Sequence, residues 1–98
     1  MPVVQITILP VGTGGTSLSQ YVASVLKPLE RSGLKYELTS MGTNIEGPLD
    51  AIIDVVREMH ESPFASGIKR VLTTLVIDDR RDKDLSIEGK KESVRLMR

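Results

Sequence analysis

Two glutamates, Glu37 and Glu46, bracket the stretch YELTSMGTNIEG that runs from Tyr36 to Gly47. A carboxylate set beside hydroxyl side chains can hold a cationic ligand. The acid supplies the charge and the hydroxyls supply directional hydrogen bonds. Thr39 and Thr43 offer hydroxyls here, and Gln5 and Thr7 are the polar residues of the apolar run VVQITIL near the N-terminus. Met41 and Tyr36 could wall such a site. The plainer use of either glutamate is an exposed charge at a sheet edge, which discourages edge-to-edge aggregation.

Three other stretches carry chemistry-bearing groups. Thr13, Gly14, Gly15, Thr16 and Ser17 form a glycine-rich loop ahead of an apolar periodic run. Backbone N–H groups at such a helix start can cradle an anion. No Lys follows the glycines, so this is no P-loop, and a turn feeding a capped helix accounts for it. DDRRDKD, from Asp78 to Asp84, holds four acids interleaved with Arg80, Arg81 and Lys83. A hard cation needs a shaped oxygen cage, so a salt-bridged run that clamps subunits or docks a helix is expected, with no metal. His60 is the only histidine, next to Glu61. General-base work is open to it, but near a helix C-terminus an interaction with the helix dipole explains it without catalysis. No G-x-S-x-G elbow occurs and Cys is absent, so nucleophilic acyl or thiol chemistry has no visible carrier.

The elements that must position these residues are legible in outline. Val3–Leu9 is rich in β-branched residues and reads as a strand ending at Pro10, with Val4, Ile6 and Ile8 on one face. Ser17 to Gln20 fits a capping box, and Leu18, Tyr21, Val22, Val25, Leu26 and Leu29 follow at helical spacing. Pro28 is expected to kink or loosen that helix, and Gly33 to stop it. Tyr36–Ser40 and Thr43–Glu46 read as strands joined by a turn at Met41-Gly42. Pro48 suits the first position of a second helix striped by Leu49, Ile52, Ile53, Val56 and Met59, with Pro63 expected to break or kink it. Val71–Asp78 reads as a last strand, apolar on both faces, which asks for cover on both. Ser86 caps a short final helix that contains Gly89 and needs docking to be stable.

An internal repeat fixes the architecture. SGLKYELT from Ser32 is echoed by SGIKRVLT from Ser66, 34 residues on. Each copy reads as a helix end, a glycine stop and a strand. The order is therefore βαβ twice, joined by a hairpin, and then a helix. That is the split-βαβ, ferredoxin-like α+β sandwich, with a four-stranded antiparallel sheet and helices on one face. Right-handed crossovers put the first and third strands in the centre. The other sheet face, with Gln5, Thr7, Leu9, Glu37, Thr39 and Met41, is half apolar, as suits a wet pocket or a subunit interface.

Ninety-eight residues with 40% apolar and 27% charged side chains fit one domain spanning residues 1–98. Net charge is zero, so no basic field recruits nucleic acid, and three aromatic residues are too few for base stacking. The N-terminus shows neither a signal-peptide pattern nor a membrane span, which makes the cytoplasm the default expectation.

PVGTGGTS from Pro10, GLKYELT from Gly33, MGT from Met41 with Glu46-Gly47, MHE from Met59, and KRV from Lys69 to the DDRRDK run resemble, in order, the thiamine-binding protein family, also called YkoF-like. The resemblance implies a ferredoxin-like fold, no cofactor, no catalysis, and assembly as dimers or tetramers, a dimer of dimers among them. It also implies binding of thiamine or its hydroxymethylpyrimidine moiety. The sequence is thus expected to encode a non-enzymatic, oligomeric binding protein for a thiamine-like cation. Glu37 or Glu46 would supply charge, Gln5, Thr7, Thr39 and Thr43 hydrogen bonds, and Tyr36 or Met41 the walls. Two other uses are open: a regulatory or structural self-association module without a ligand, and anion or phosphometabolite binding at Gly12–Ser17.

Overall fold

Alternation of β-branched and polar residues makes Val3–Val11 a strand, and the repeat supplies its partners. The computed structural model describes residues 1–12 and 19–97, in the order β1 (Val3–Val11), α1 (Ser19–Ser32), β2 (Lys35–Thr39), β3 (Gly42–Glu46), α2 (Leu49–Ala65), β4 (Arg70–Asp78) and α3 (Ile87–Leu96). The proposed cap at Ser17 lies outside the described residues. The sheet order is β2-β3-β1-β4, all antiparallel, with the first and third strands central as the crossover rule requires.

Register decides which side chains meet. Val4 stands opposite Ile45 on one side and Ile77 on the other, and Ile6 opposite Thr43 and Leu75. These residues share the face covered by α1 and α2. There Val4, Ile6 and Ile45 close on Val25 and Leu29 from α1 and on Ile52, Val55 and Met59 from α2, all buried. Burying an aliphatic side chain of this size contributes about 1.5–3 kcal/mol, so this cluster is the main driving force for the sandwich.

β1 does not end at Pro10. It runs on to Val11, with Pro10 opposite Val71 and Val11 opposite Arg70 on β4. β3 pairs with β1 only as far as Ile6 opposite Thr43. Beyond that point β1 has a neighbour on one side only, a position where a residue without an N–H is tolerated.

Neither proline breaks its helix. α1 continues through Pro28 to Ser32 and α2 through Pro63 to Ala65. Both rings are buried, so packing outweighs the lost donor. One turn before Pro28, the Ser24 hydroxyl meets that of Ser62, 3.0 Å away, at the α1–α2 contact. Pro48 sits one residue earlier than expected, as N-cap with extended backbone, and its carbonyl accepts the Ile52 N–H at 3.0 Å. The repeated glycines both act as helix stops, Gly33 at φ 76° and Gly67 at φ 91°, conformations that cost other residues a steric penalty.

α3 lies against the opposite face of the sheet and covers only one end of it. Its first residue, Ile87, is buried, while Val94, Leu96 and Met97 are exposed. Ser86 caps it by accepting the Gly89 N–H at 2.8 Å. The Asp78–Asp84 run pairs largely with itself, Arg80 Nε donating to Asp82 Oδ1 at 2.9 Å and Arg81 to Asp79 at 3.1 Å. Asp78 instead takes Lys90 of α3, so the run helps dock the last helix. No helix among the described residues is long and apolar enough to cross a membrane.

Candidate functional site

Where β1 outruns β3, a notch opens between β1, the β2–β3 hairpin and α1. It holds a cavity of about 440 Å³. Ile6, Ile8, Leu38, Val25, Leu26 and Met59 make its apolar wall, and Met41 and Val22 stand beside its mouth. Thr7, Thr39, Ser40, Thr43 and Tyr21 are the hydroxyl-bearing residues of its lining. None of the described lining residues is charged.

The hairpin that roofs this cavity is braced by its own threonines. Thr39 Oγ1 donates to the Gly42 carbonyl at 2.8 Å and accepts the Met41 N–H at 3.2 Å. Thr7 Oγ1 donates to the Met41 carbonyl at 3.2 Å, which ties the hairpin tip to β1. Gly42 suits a tight crossing here. A Cβ there would stand 3.0 Å from the Ile6 carbonyl oxygen and from Thr7 Oγ1. Thr7 and Thr39 thus shape the cavity as much as they line it.

The residues expected to form one site divide between two places. Thr7, Thr39, Met41 and Thr43 come together at this cavity. Gln5 and Glu37 lie in a shallower depression of about 340 Å³ on the other sheet face, with Asn44 between them in register and Lys90 and Lys91 of α3 above. The Glu37 carboxylate receives Lys91 Nζ at 3.0 Å. That hydrogen bond, helped by the charges of Glu37 and Glu88, raises the Lys91 pKa above its ordinary value. Glu46 accepts the Ile87 N–H at 2.8 Å and so anchors the start of α3. Tyr36 packs half-buried against the core. Thr13, Gly14, Gly15, Thr16 and Ser17 lie outside the described residues.

Tyr21, Ser40 and Asn44 were not singled out from sequence. Tyr21 belongs to the α1 apolar stripe, and nothing in that spacing marks it as lining a cavity. Asn44 was legible in principle, since it alternates with Thr43 and pairs with both Gln5 and Glu37 once the hairpin register is drawn. His60 has a structural setting: its Nδ1 lies 2.6 Å from the Thr73 hydroxyl, with the Phe64 ring edge-on at 5.5 Å. Among the described residues, no group of three His, Cys, Asp or Glu side chains is placed to hold a metal ion.

Comparison with known proteins gives that geometry a context. The family model described as "Thiamine-binding protein" matches residues 4–95. The chain belongs to the thiamine-binding protein family.

Relatives within it include the UPF0045 protein YqgV of Bacillus subtilis, 47% identical over 96% of this chain and 94% of that one. A UPF0045 protein of Methanothermobacter thermautotrophicus is 44% identical over 93% of each. Among solved structures, protein MJ1052 from Methanocaldococcus jannaschii superposes with a TM-score of 0.86 at 36% identity, covering 96% of this chain and 95% of that one. A candidate thiamine biosynthesis/salvage protein from Thermotoga maritima superposes at 0.78 with 27% identity, covering 96% and 98%. The description of this thiamine-binding protein family is one of binding, and the four-stranded α+β sandwich is common to these structures and this chain.

Proposed function

We propose that this chain is a non-enzymatic binding protein for thiamine or its hydroxymethylpyrimidine moiety, acting as a homo-oligomer. The observation that carries the reading is the cavity beneath the β2–β3 hairpin: apolar walls, threonine, serine and tyrosine residues in the lining, and no charged group among its described lining residues. An aminopyrimidine is flat, neutral and rich in hydrogen-bonding edges, which matches that lining. Thr43 and Tyr21 supply directional bonds, while Met41 closes over the ring.

A thiazolium cannot shed its charge and requires a counter-charge or open water. In the separate depression on the other sheet face, beside Gln5 and Asn44, Glu37 is the residue for that role, and Lys91 already occupies its carboxylate. A cation reaching Glu37 on that face therefore exchanges with Lys91, so its binding is coupled to the seating of α3 and is separate from pyrimidine binding in the cavity. The family membership and the Thermotoga neighbour support a thiamine-related ligand.

Titration calorimetry with thiamine and with bare hydroxymethylpyrimidine tests the reading. Binding of both to the wild type, and loss of pyrimidine affinity in Thr43→Val, is the expected result. If neither compound binds, the self-association module becomes the better account. Binding of inorganic phosphate or phosphorylated metabolites alone would favour the glycine-rich loop instead. The oligomeric part of the reading rests on exposed Leu9, Leu72 and Val76 on the sheet face that α3 leaves open. Light scattering at micromolar concentration checks it, a mass of 10.8 kDa being the monomer value.

A further inference from the structure

Past Ile6, β1 carries main-chain groups that no strand meets. Its pairing with β3 stops at Ile6 opposite Thr43, while β4 pairs on to Arg70 opposite Val11. In an antiparallel ladder the N–H and carbonyl of one residue point to the same side, and successive residues alternate sides. The Ile6 carbonyl faces β3, since a Cβ on Gly42 would stand 3.0 Å from it. Thr7 and Leu9 therefore turn their main-chain groups to β4. Ile8 and Pro10 turn theirs the other way, into the notch beyond the end of β3. Pro10 fits that phase, because it has no N–H and stands where β4 asks for none.

Continuing the register would set Met41 opposite Ile8. The hairpin turns there instead, and the Met41 carbonyl takes the Thr7 hydroxyl. Among the described residues, the Ile8 N–H and carbonyl have no main-chain partner. Ile8 is half-buried, Pro10 is buried, and both line the cavity of about 440 Å³. Main-chain polar groups held away from bulk water call for a partner. The neighbouring threonines donate elsewhere, Thr7 to Met41 and Thr39 to Gly42.

We infer that a bound ligand takes the place of the missing strand and is read by the main chain of Ile8. A ring nitrogen of the ligand accepts the Ile8 N–H, and an amino group on the adjacent ring carbon donates to the Ile8 carbonyl. The Pro10 carbonyl, next along the same side, adds a second acceptor and no donor. The ligand class is a planar ring with an unprotonated nitrogen beside an exocyclic amino group, as in an aminopyrimidine. The inference rests on the pyrimidine-binding reading and adds the atoms that recognise the ring. It also explains how a lining without described charges selects a ligand. The β1–β4 ladder holds this donor and acceptor in place before binding, so no flexible side chain has to be ordered.

Nuclear magnetic resonance on the isotope-labelled full chain tests this directly. The Ile8 amide should exchange much faster than the Ile6 amide in the free protein. Saturation with hydroxymethylpyrimidine should slow Ile8 and leave Ile6 unchanged. With labelled pyrimidine, a scalar coupling should appear between the Ile8 amide nitrogen and a ring nitrogen. The analogue with hydrogen in place of the amino group leaves the Ile8 carbonyl unpaired and should bind roughly 5- to 100-fold more weakly. Ile8→Val keeps the N–H and should bind within about twofold of wild type, whereas Ile8→Pro removes it and should bind at least about tenfold more weakly. If Ile8→Pro does not fold, the wild-type exchange and coupling still decide. Absence of pyrimidine binding by calorimetry overturns the binding reading and this inference with it. Pyrimidine binding with unchanged Ile8 exchange and no coupling, or equal affinity for the analogue without the amino group, overturns this inference alone.

Discussion

Lys91 and Glu37 are 54 residues apart in sequence, and their side chains meet at 3.0 Å across the open face of the sheet. With Glu46 holding the Ile87 N–H and Asp78 holding Lys90, this pair fastens a helix that its own sequence barely supports. Gly89 disfavours α3, and only Ile87 of its apolar residues is buried.

Lys91→Met should loosen α3. Amide exchange across Ile87–Leu96 should speed up by at most about fivefold, because exposed ion pairs are weak. The pH dependence has a definite sign. Lys91 is raised by its hydrogen bond to Glu37, so its contribution is complete below its unfolded pKa and is lost as pH rises through the higher folded value. Exchange in α3 should therefore be insensitive to Lys91 titration near neutrality and accelerate in strongly alkaline solution, an alkaline step absent in Lys91→Met.

The cavity threonines should separate into two classes. Thr39 makes two bonds within the hairpin, so Thr39→Val should destabilise the fold by about 1–3 kcal/mol if both bonds are lost, and lower the melting temperature accordingly. Thr43→Val keeps the shape and removes a hydroxyl from the cavity wall. It should weaken pyrimidine binding about 2- to 10-fold and leave the melting temperature nearly unchanged. Calorimetry and a thermal melt on both variants check the split, and a melting-temperature loss confined to Thr43→Val would reverse the assignment.

Gly42→Ala forces a methyl group to within 3.0 Å of the Ile6 carbonyl, which belongs to a central strand and cannot yield. The hairpin must lift instead. Destabilisation of about 1–3 kcal/mol is expected, which lowers the melting temperature of a domain this size by several degrees per kcal/mol. Pyrimidine binding should fall with it.

Counter-charge at Glu37 is tested by contrast between ligands. Glu37→Gln should weaken thiamine roughly tenfold to a hundredfold, as expected for loss of a charge-assisted bond, and scarcely affect the neutral pyrimidine. Lys91→Gln removes the internal competitor and should tighten thiamine alone. Equal thiamine affinity in all three proteins would remove the carboxylate from the site while leaving the cavity assignment intact.

Periodicity and the 34-residue repeat made the fold readable, including which strands are central. Local rules failed where tertiary packing outweighs them. Pro28 and Pro63 stay helical because both rings are buried, and Pro10 stays in a strand because β3 has already ended beside it. The site was half legible. Thr39, Met41 and Thr43 follow from the hairpin, and with Thr7 of β1 they line one cavity. The partners of Glu37 and Glu46 were not readable, because they depend on where α3 lands, and its weak stripe and Gly89 give that helix no direction of its own.

The β1–β4 ladder has a consequence for the order of folding on the ribosome. Val3 stands opposite Asp78 and Val11 opposite Arg70, so the longest pairing in the sheet joins the beginning of the chain to a strand near its end. Closing so long a loop is slow, and nothing made earlier can replace it. While Arg70–Asp78 is still within the exit tunnel, Val4 and Ile6 have only β3 to pair with, and Ile8 has no strand partner. The nascent chain must therefore hold a half-finished sheet, one central strand bare along an entire side, until Arg70–Asp78 has left the tunnel.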